Sequence, residues 1–254
     1  MLLAGLAAGG AAGAAEQLAA IAAGDSIVAV AYAASTPGRF RNVLDGDVAD
    51  VFLLVGTHTV ALARAADLTV TARGPFDLTR GLADVVADVE RVPVIADGDT
   101  ARETFRSALI AARLALAADS AGGAQAALRD AVEYARGRIQ FGRPIGGFQA
   151  IKHILADRYV DAELALSVAR LAIEAHVEGA PDAAQHAALA AFYCAEKYSA
   201  VAADDIQVHG GVGFTAEYAA HLYRRRADSN RLLLGAPAEL RADYMTTMIG
   251  GREL

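Results

Sequence analysis

The chain has 254 residues, 55% of them hydrophobic, and a formal net charge of −7. That length and apolar content support one large domain or two modest ones, and they exclude global disorder. The acidic balance excludes a nucleic-acid binder that works through a broad basic face. A single cysteine, Cys194, excludes an intramolecular disulfide framework and the common zinc-finger patterns. It lies in a helical pattern and reads as a packed small side chain. Alanine and leucine dominate and tryptophan is absent, a composition that favours helices.

The opening stretch is Ala/Gly-rich and predicts a helix over residues 3–23, interrupted near Gly9-Gly10 and ended by Gly24-Asp25. No Lys or Arg precedes Arg39, so the positive region of a signal peptide is missing. Glycines, Glu16, Gln17 and Asp25 make the run a poor membrane span. The expectation is a cytoplasmic chain that engages neither membrane nor nucleic acid, and an opening that resembles the tail of something larger.

From Ser26 to about Pro93 the period changes. Strands are predicted at Ile27–Tyr32, Val51–Val55, Thr59–Ala63 and Leu68–Ala72, with one or two more over Val85–Val92. They are short, closely spaced and without intervening helices, so the expected unit is a small antiparallel β-domain. No G-x-G-x-x-G follows any of them, which removes a Rossmann fingerprint.

From Thr100 the chain reads as helix: Ala101–Ala135, a second helix from Phe148, a third over Ala183–Val208, then shorter ones near Ala216–Arg226 and Pro237–Met248. The second has Phe148, Ile151, Leu155, Tyr159, Ala162, Leu166, Ala169 and Ile173 on its apolar side, with Lys152, Arg158, Asp161, Glu163, Arg170 and Glu174 between them. Long helices joined by short connections pack as an antiparallel bundle. The expected fold is α+β: a residual N-terminal helix (1–25), a small antiparallel β-domain (26–98) and a four-helix bundle (99–254).

Two stretches carry the chemistry. Arg138-Ile-Gln-Phe-Gly-Arg-Pro-Ile-Gly-Gly-Phe-Gln149 sits between two helices and is too rich in Gly and Pro to be helix itself. On composition alone it is a helix–helix connection with solvated arginines. Gln207-Val-His-Gly-Gly-Val-Gly-Phe214 ends the third helix, where three glycines could be no more than a C-cap and turn. A Gln and a His placed before them suit a polar ligand.

Together these stretches resemble the C-terminal bundle of acyl-CoA dehydrogenases, over residues 100–250. The resemblance extends to 26–98 through Val43-Leu-Asp-Gly-Asp-Val-Ala-Asp-Val-Phe-Leu-Leu-Val55 and Phe76-Asp-Leu-Thr-Arg80. It implies FAD as cofactor, an acyl-CoA substrate, α,β-dehydrogenation by hydride transfer from the β-carbon to the flavin, and a carboxylate that removes the α-proton. It implies that Arg138 meets the FAD pyrophosphate across a subunit interface, and that Phe141 and Gln149 line the same nucleotide site. Gln207, Gly210 and Gly211 would hold the adenosine end of a neighbour's FAD.

The chain also departs from the family. The position of the usual base, counted past Arg224-Arg-Arg226, is Leu234, followed by Gly235. The alternative position on the first bundle helix falls at or near Ala112. Asp119, seven residues on, shares that face ~10 Å further along. It reads first as a solvated or hydrogen-bonded structural Asp and second as an atypical base. The segment that would face the flavin, Val30–Gly38, has no Thr-Glu pair. Arg224–Arg226 reads as a solvated face, with charge pairing in the bundle as the other reading. His153, His176, His186 and His221 have no metal spacing; His209 alone is placed beside a site. No metal is expected.

Three functions follow. The first is a flavoprotein subunit that works in an oligomer with a longer homologue, which supplies the catalytic Glu. This is similar to heteromeric enzymes of steroid side-chain breakdown, in which one subunit type lacks the carboxylate. The second is a non-catalytic assembly subunit that does not bind FAD. The third is a self-sufficient dehydrogenase using Asp119.

Overall fold

The computed structural model describes residues 2–11 and 13–250, the side chains of 243 and 246–250 excepted. The chain forms two compact units, Met1–Leu109 and Ile110–Leu254.

The first unit opens with two helices, α1 (Leu2–Ala8) and α2 (Ala14–Ala23), separated where the sequence places Gly9-Gly10; Ala12, inside the predicted helix, lies outside the described residues. Seven strands follow: β1 (Val28–Ala31), β2 (Arg39–Leu44), β3 (Val51–Val55), β4 (Thr59–Arg64), β5 (Thr69–Arg73), β6 (Leu82–Val86) and β7 (Val94–Asp97). They form two sheets, ordered β1-β3-β4-β7 and β2-β6-β5. Every pairing is antiparallel except β1 with β3, where Ala29 stands opposite Phe52.

β3 is buried at all five positions. On one face Phe52 and Leu54 pack with Phe40, Val43 and Val85 of the second sheet. On the other, Leu53 and Val55 pack with Leu2, Leu3 and Leu6 of α1 and with Ala101. Covering both faces explains why its sequence is continuously apolar rather than alternating. It also gives the N-terminal helix a partner for its leucines.

The second unit is helical. The boundary falls within α3 (Gly98–Gly137), a 40-residue helix. A hairpin, β8 (Ile139–Gln140) and β9 (Arg143–Pro144), leads to α4 (Gln149–Val177) and α5 (Ala183–His209). A 3₁₀ turn over Gly210–Phe214 precedes α6 (Ala220–Asn230) and α7 (Pro237–Gly250). Among the described residues, no helix is long and apolar enough to cross a membrane.

The face that α4 buries differs from the predicted one. Ala162, Ala165, Ala169, Ala172 and Ala175 turn inward, whereas Tyr159 and Ile173 are exposed. α4 is apolar on two sides, and the alanine side approaches its neighbours most closely. Asp161, read as a surface polar residue, is buried because Lys197 donates to it at 2.6 Å and Arg158 pairs with it at 3.1 Å.

Cys194 is fully buried, with Sγ 3.3 Å from the Ala165 carbonyl oxygen, and burial pushes its thiol up to about 12. The unfolded chain ionises this thiol first. Its contribution to stability is therefore complete below about pH 9 and lost as pH climbs toward 12. In the native protein at pH 8 the thiol is expected to stay silent to a disulfide reagent, and to release one equivalent only after denaturation. Native labelling at the rate of a free thiol would refute this.

Candidate functional site

The C-terminal ends of α3 and α5 meet at one end of the bundle. Tyr134 of α3 stacks on His209 of α5 with ring centroids 4.0 Å apart, and Tyr218 meets the same imidazole edge-on at 5.1 Å. Val208 packs with Ala131 and Ala135, and Ile145 and Ile151 join that cluster. The structure thus brings the two glycine-rich stretches together.

In the first stretch, Ile139 pairs with Pro144 and Gln140 with Arg143. The two-residue connection, Phe141-Gly142, has φ of +51° and +79°, the geometry of a type I′ turn. That turn throws the Phe141 ring outward, leaving it 92% exposed. The Ile145 N–H donates to the Arg138 carbonyl at 2.8 Å and closes the base of the hairpin. The two arginines then divide. Arg143 lies over the Phe148 ring at 4.1 Å and serves packing. Arg138 is exposed at the end of α3, and its guanidinium pairs with no described residue. Gln149 opens α4, also exposed.

In the second stretch Gly210 has φ 67° and ψ −146°, a region closed to side-chain-bearing residues. A Cβ added at Gly210 or Gly211 would meet nothing within 4 Å. The backbone there borders open space, with exposed Gln207 beside it. An exposed arginine, an exposed amide and an unobstructed backbone suit a nucleotide with a diphosphate.

Sequence reasoning missed a buried group beneath this loop. Asp205 and His209, four apart on α5, converge with Asp130 of α3. Burial, and then the Asp130 charge, push the Asp205 carboxyl up to about 8. The signal was present as D-x-x-x-H on a helix.

Neither predicted base position offers an available carboxylate. Leu234 has φ +61°, followed by Gly235 at +121°, so the chain makes a sharp elbow around an aliphatic side chain. Ala112 is half-buried on α3. Asp119 is engaged on both oxygens: Arg226 Nη2 at 3.0 Å and Nε at 3.2 Å, and Asn230 Nδ2 at 2.7 Å. Arg224 pairs with Asp228 at 2.9 Å and donates to the Ser199 carbonyl at 2.9 Å. At Arg224 and Arg226 the charge-pairing reading therefore replaces the solvated-face one. The nearby Gly122-Gly123 also has a packing reason: a Cβ on Gly123 would sit 2.5 Å from Cζ of Tyr198.

Within the first unit, a cavity of about 800 Å³ is lined by Tyr32–Gly38, by Leu54–Thr57 and by Phe105, among others. The segment that lacks the Thr-Glu pair is thus a cavity wall.

Residues 103–247 match the family described as acyl-CoA dehydrogenase, C-terminal domain. The chain is similar to acyl-CoA dehydrogenase IpdE2 of Mycolicibacterium smegmatis, 35% identical over 197 residues, which are 78% of this chain and 58% of that protein. IpdE2 of Mycobacterium tuberculosis is 38% identical over 198 residues, 78% of this chain and 57% of that protein. The chain therefore spans somewhat more than half the length of these relatives. Among solved structures, the ChsE4-ChsE5 complex from Mycobacterium tuberculosis superposes with a TM-score of 0.79 at 27% identity, over 92% of this chain and 69% of that one. By sequence and by fold, this chain belongs to the acyl-CoA dehydrogenase family.

Proposed function

We propose that this chain is an FAD-binding subunit of a heteromeric acyl-CoA dehydrogenase, in which a longer homologous chain supplies the catalytic carboxylate. The observation that carries the reading is the exposed Arg138 guanidinium, which pairs with no described residue, at the same bundle end as the open Gly210–Gly211 backbone. Arg138 would grip the pyrophosphate, Phe141 and Gln149 would line the nucleotide site, and Gln207, Gly210 and Gly211 would hold an adenosine end. FAD, when bound, supplies the acceptor for the hydride that leaves the β-carbon of the acyl-CoA. The α-proton must go to a base as the C=C bond forms. Leu234 has no lone pair to take it, and Asp119 is tied to Arg226. The base therefore comes from the partner chain.

Two further observations support an assembly. Ile139, Phe141 and Phe214 are exposed at the nucleotide end. Val160, Leu164 and Leu171 form an apolar row on α4, each about half exposed. The similarity to ChsE4-ChsE5, described as a complex, and to a subunit of a caffeyl-CoA reductase-Etf complex points the same way.

The test is purification of the chain alone and with its longer homologue, measuring FAD content and acyl-CoA-dependent dye reduction. Flavin retention and turnover are expected only, or mainly, in the pair. Full turnover by the isolated chain would overturn the partner assignment, and no flavin in either preparation would make the chain an assembly subunit.

A further inference from the structure

Asp205 and His209 lie one turn apart on α5, so their side chains leave the same face of the helix. α3 brings Asp130 against them, and one ligand atom from each residue lies within 4.8 Å of the other two. Asp205 is 1% exposed, yet neither of its carboxylate oxygens accepts a hydrogen bond. Asp130 Oδ2 is likewise buried and unbonded. Three orphaned carboxyl oxygens in one buried place are costly unless a proton or a positive charge stands among them.

The imidazole is set up to share that charge. His209 Nδ1 lies 2.9 Å from the Asp205 carbonyl oxygen, and 3.1 Å from Asp205 Oδ1 without hydrogen-bond geometry. Acceptors on that side place the proton on Nδ1, leaving the Nε2 lone pair facing Asp130 Oδ2 at 3.9 Å. A histidine that donates one ring N–H to a carbonyl and presents the other nitrogen bare is the usual arrangement behind a metal ligand. Tyr134 and Tyr218 hold the ring from its face and edge.

We propose that Asp130, Asp205 and His209 form a binding site for a divalent cation of the zinc class, pinning α3 to α5 beneath the glycine-rich loop. One nitrogen and two oxygens suit Zn²⁺ or Co²⁺, at bonds of ~2.0–2.2 Å, with a fourth position for water. Mg²⁺ and Ca²⁺ want six or more oxygens, and the cluster does not offer them. The two carboxylates balance the charge of the ion.

The experiment uses the full chain, stripped with a chelator and titrated with Co²⁺ as the visible probe and Zn²⁺ as competitor. The expected result is one saturable equivalent, with the d–d absorption of a low-coordinate cobalt site and a rise in melting temperature. Asp205→Asn and Asp130→Asn are expected to weaken Zn²⁺ by at least about tenfold. Asp130 is partly exposed, so its variant keeps the test decisive should the Asp205 variant fail to fold. No saturable binding by the folded chain overturns the proposal. So does an affinity unchanged in Asp130→Asn, which would assign the metal to the other histidines. None of these measurements reads flavin or turnover, so the result is independent of the flavoprotein assignment.

Discussion

Asp119→Ala is expected to lower the unfolding free energy by about 2–4 kcal/mol, on the order of 10 °C in Tm. Two donors lose this acceptor at once: the forked Arg226 guanidinium, and buried Asn230, which also donates to Ser120 Oγ at 2.9 Å. The pair is only partly buried, with Arg226 and Asp119 side chains 28% and 35% exposed, so the effect falls short of a fully buried bridge. Asp119→Asn keeps the volume and one acceptor and is expected to lose about half as much. Because Arg226 and Asn230 belong to α6 and Asp119 to α3, the damage is to bundle packing. Flavin-normalised turnover of the assembled enzyme is then unchanged in Asp119→Asn. If that variant kept its melting temperature and lost turnover, Asp119 would be the base after all.

What was legible in the chain was whatever a local pattern determines. The continuously apolar run Val51–Val55 announced a buried strand, and β3 is one, which the structure shows covered on both faces. Gly and Pro between Arg138 and Gln149 announced a break between helices, and a hairpin stands there. β2 was missed because its alternation fails at Arg41-Asn42, where Asn42 takes φ +53° and the pairing with β6 slips between Phe40 and Val43.

On α4 periodicity identified apolar sides but not which side would be covered. Large residues on an apolar stripe suggest burial, yet the alanine row gives the closest approach and leaves Tyr159, Leu164 and Leu171 outside. Long-range pairs were illegible for the same reason. Nothing in the sequence near Asp119 points 107 residues downstream to Arg226, nor from Asp205 back to Asp130. The Leu234 elbow was half legible: the sequence showed an aliphatic residue before a glycine, but only the backbone shows that the turn itself, at φ +61°, is there without the acid.

Arg138→Ala is expected to weaken FAD binding to the assembled protein by about 10- to 100-fold, the worth of a charged, forked hydrogen-bond donor to a diphosphate. The variant should fold as well as the parent. Arg138 holds its place through its backbone, with the N–H donating to the Tyr134 carbonyl at 2.9 Å and the carbonyl accepting from Ile145. Its side chain is exposed, and its guanidinium pairs with no described residue. Arg138→Lys retains a point charge without the fork and should fall between the two. Arg143→Ala makes the contrast: Arg143 is spent on Phe148, so its loss should loosen the hairpin while leaving the diphosphate contact in place. Fluorescence titration of FAD into the stripped complex distinguishes these cases. Equal affinity in the parent and Arg138→Ala would remove the arginine from the nucleotide site, and with it the strongest reason for reading this bundle end as one. A parent chain that takes up no FAD even beside its longer partner would leave Arg138 a surface residue of an assembly subunit.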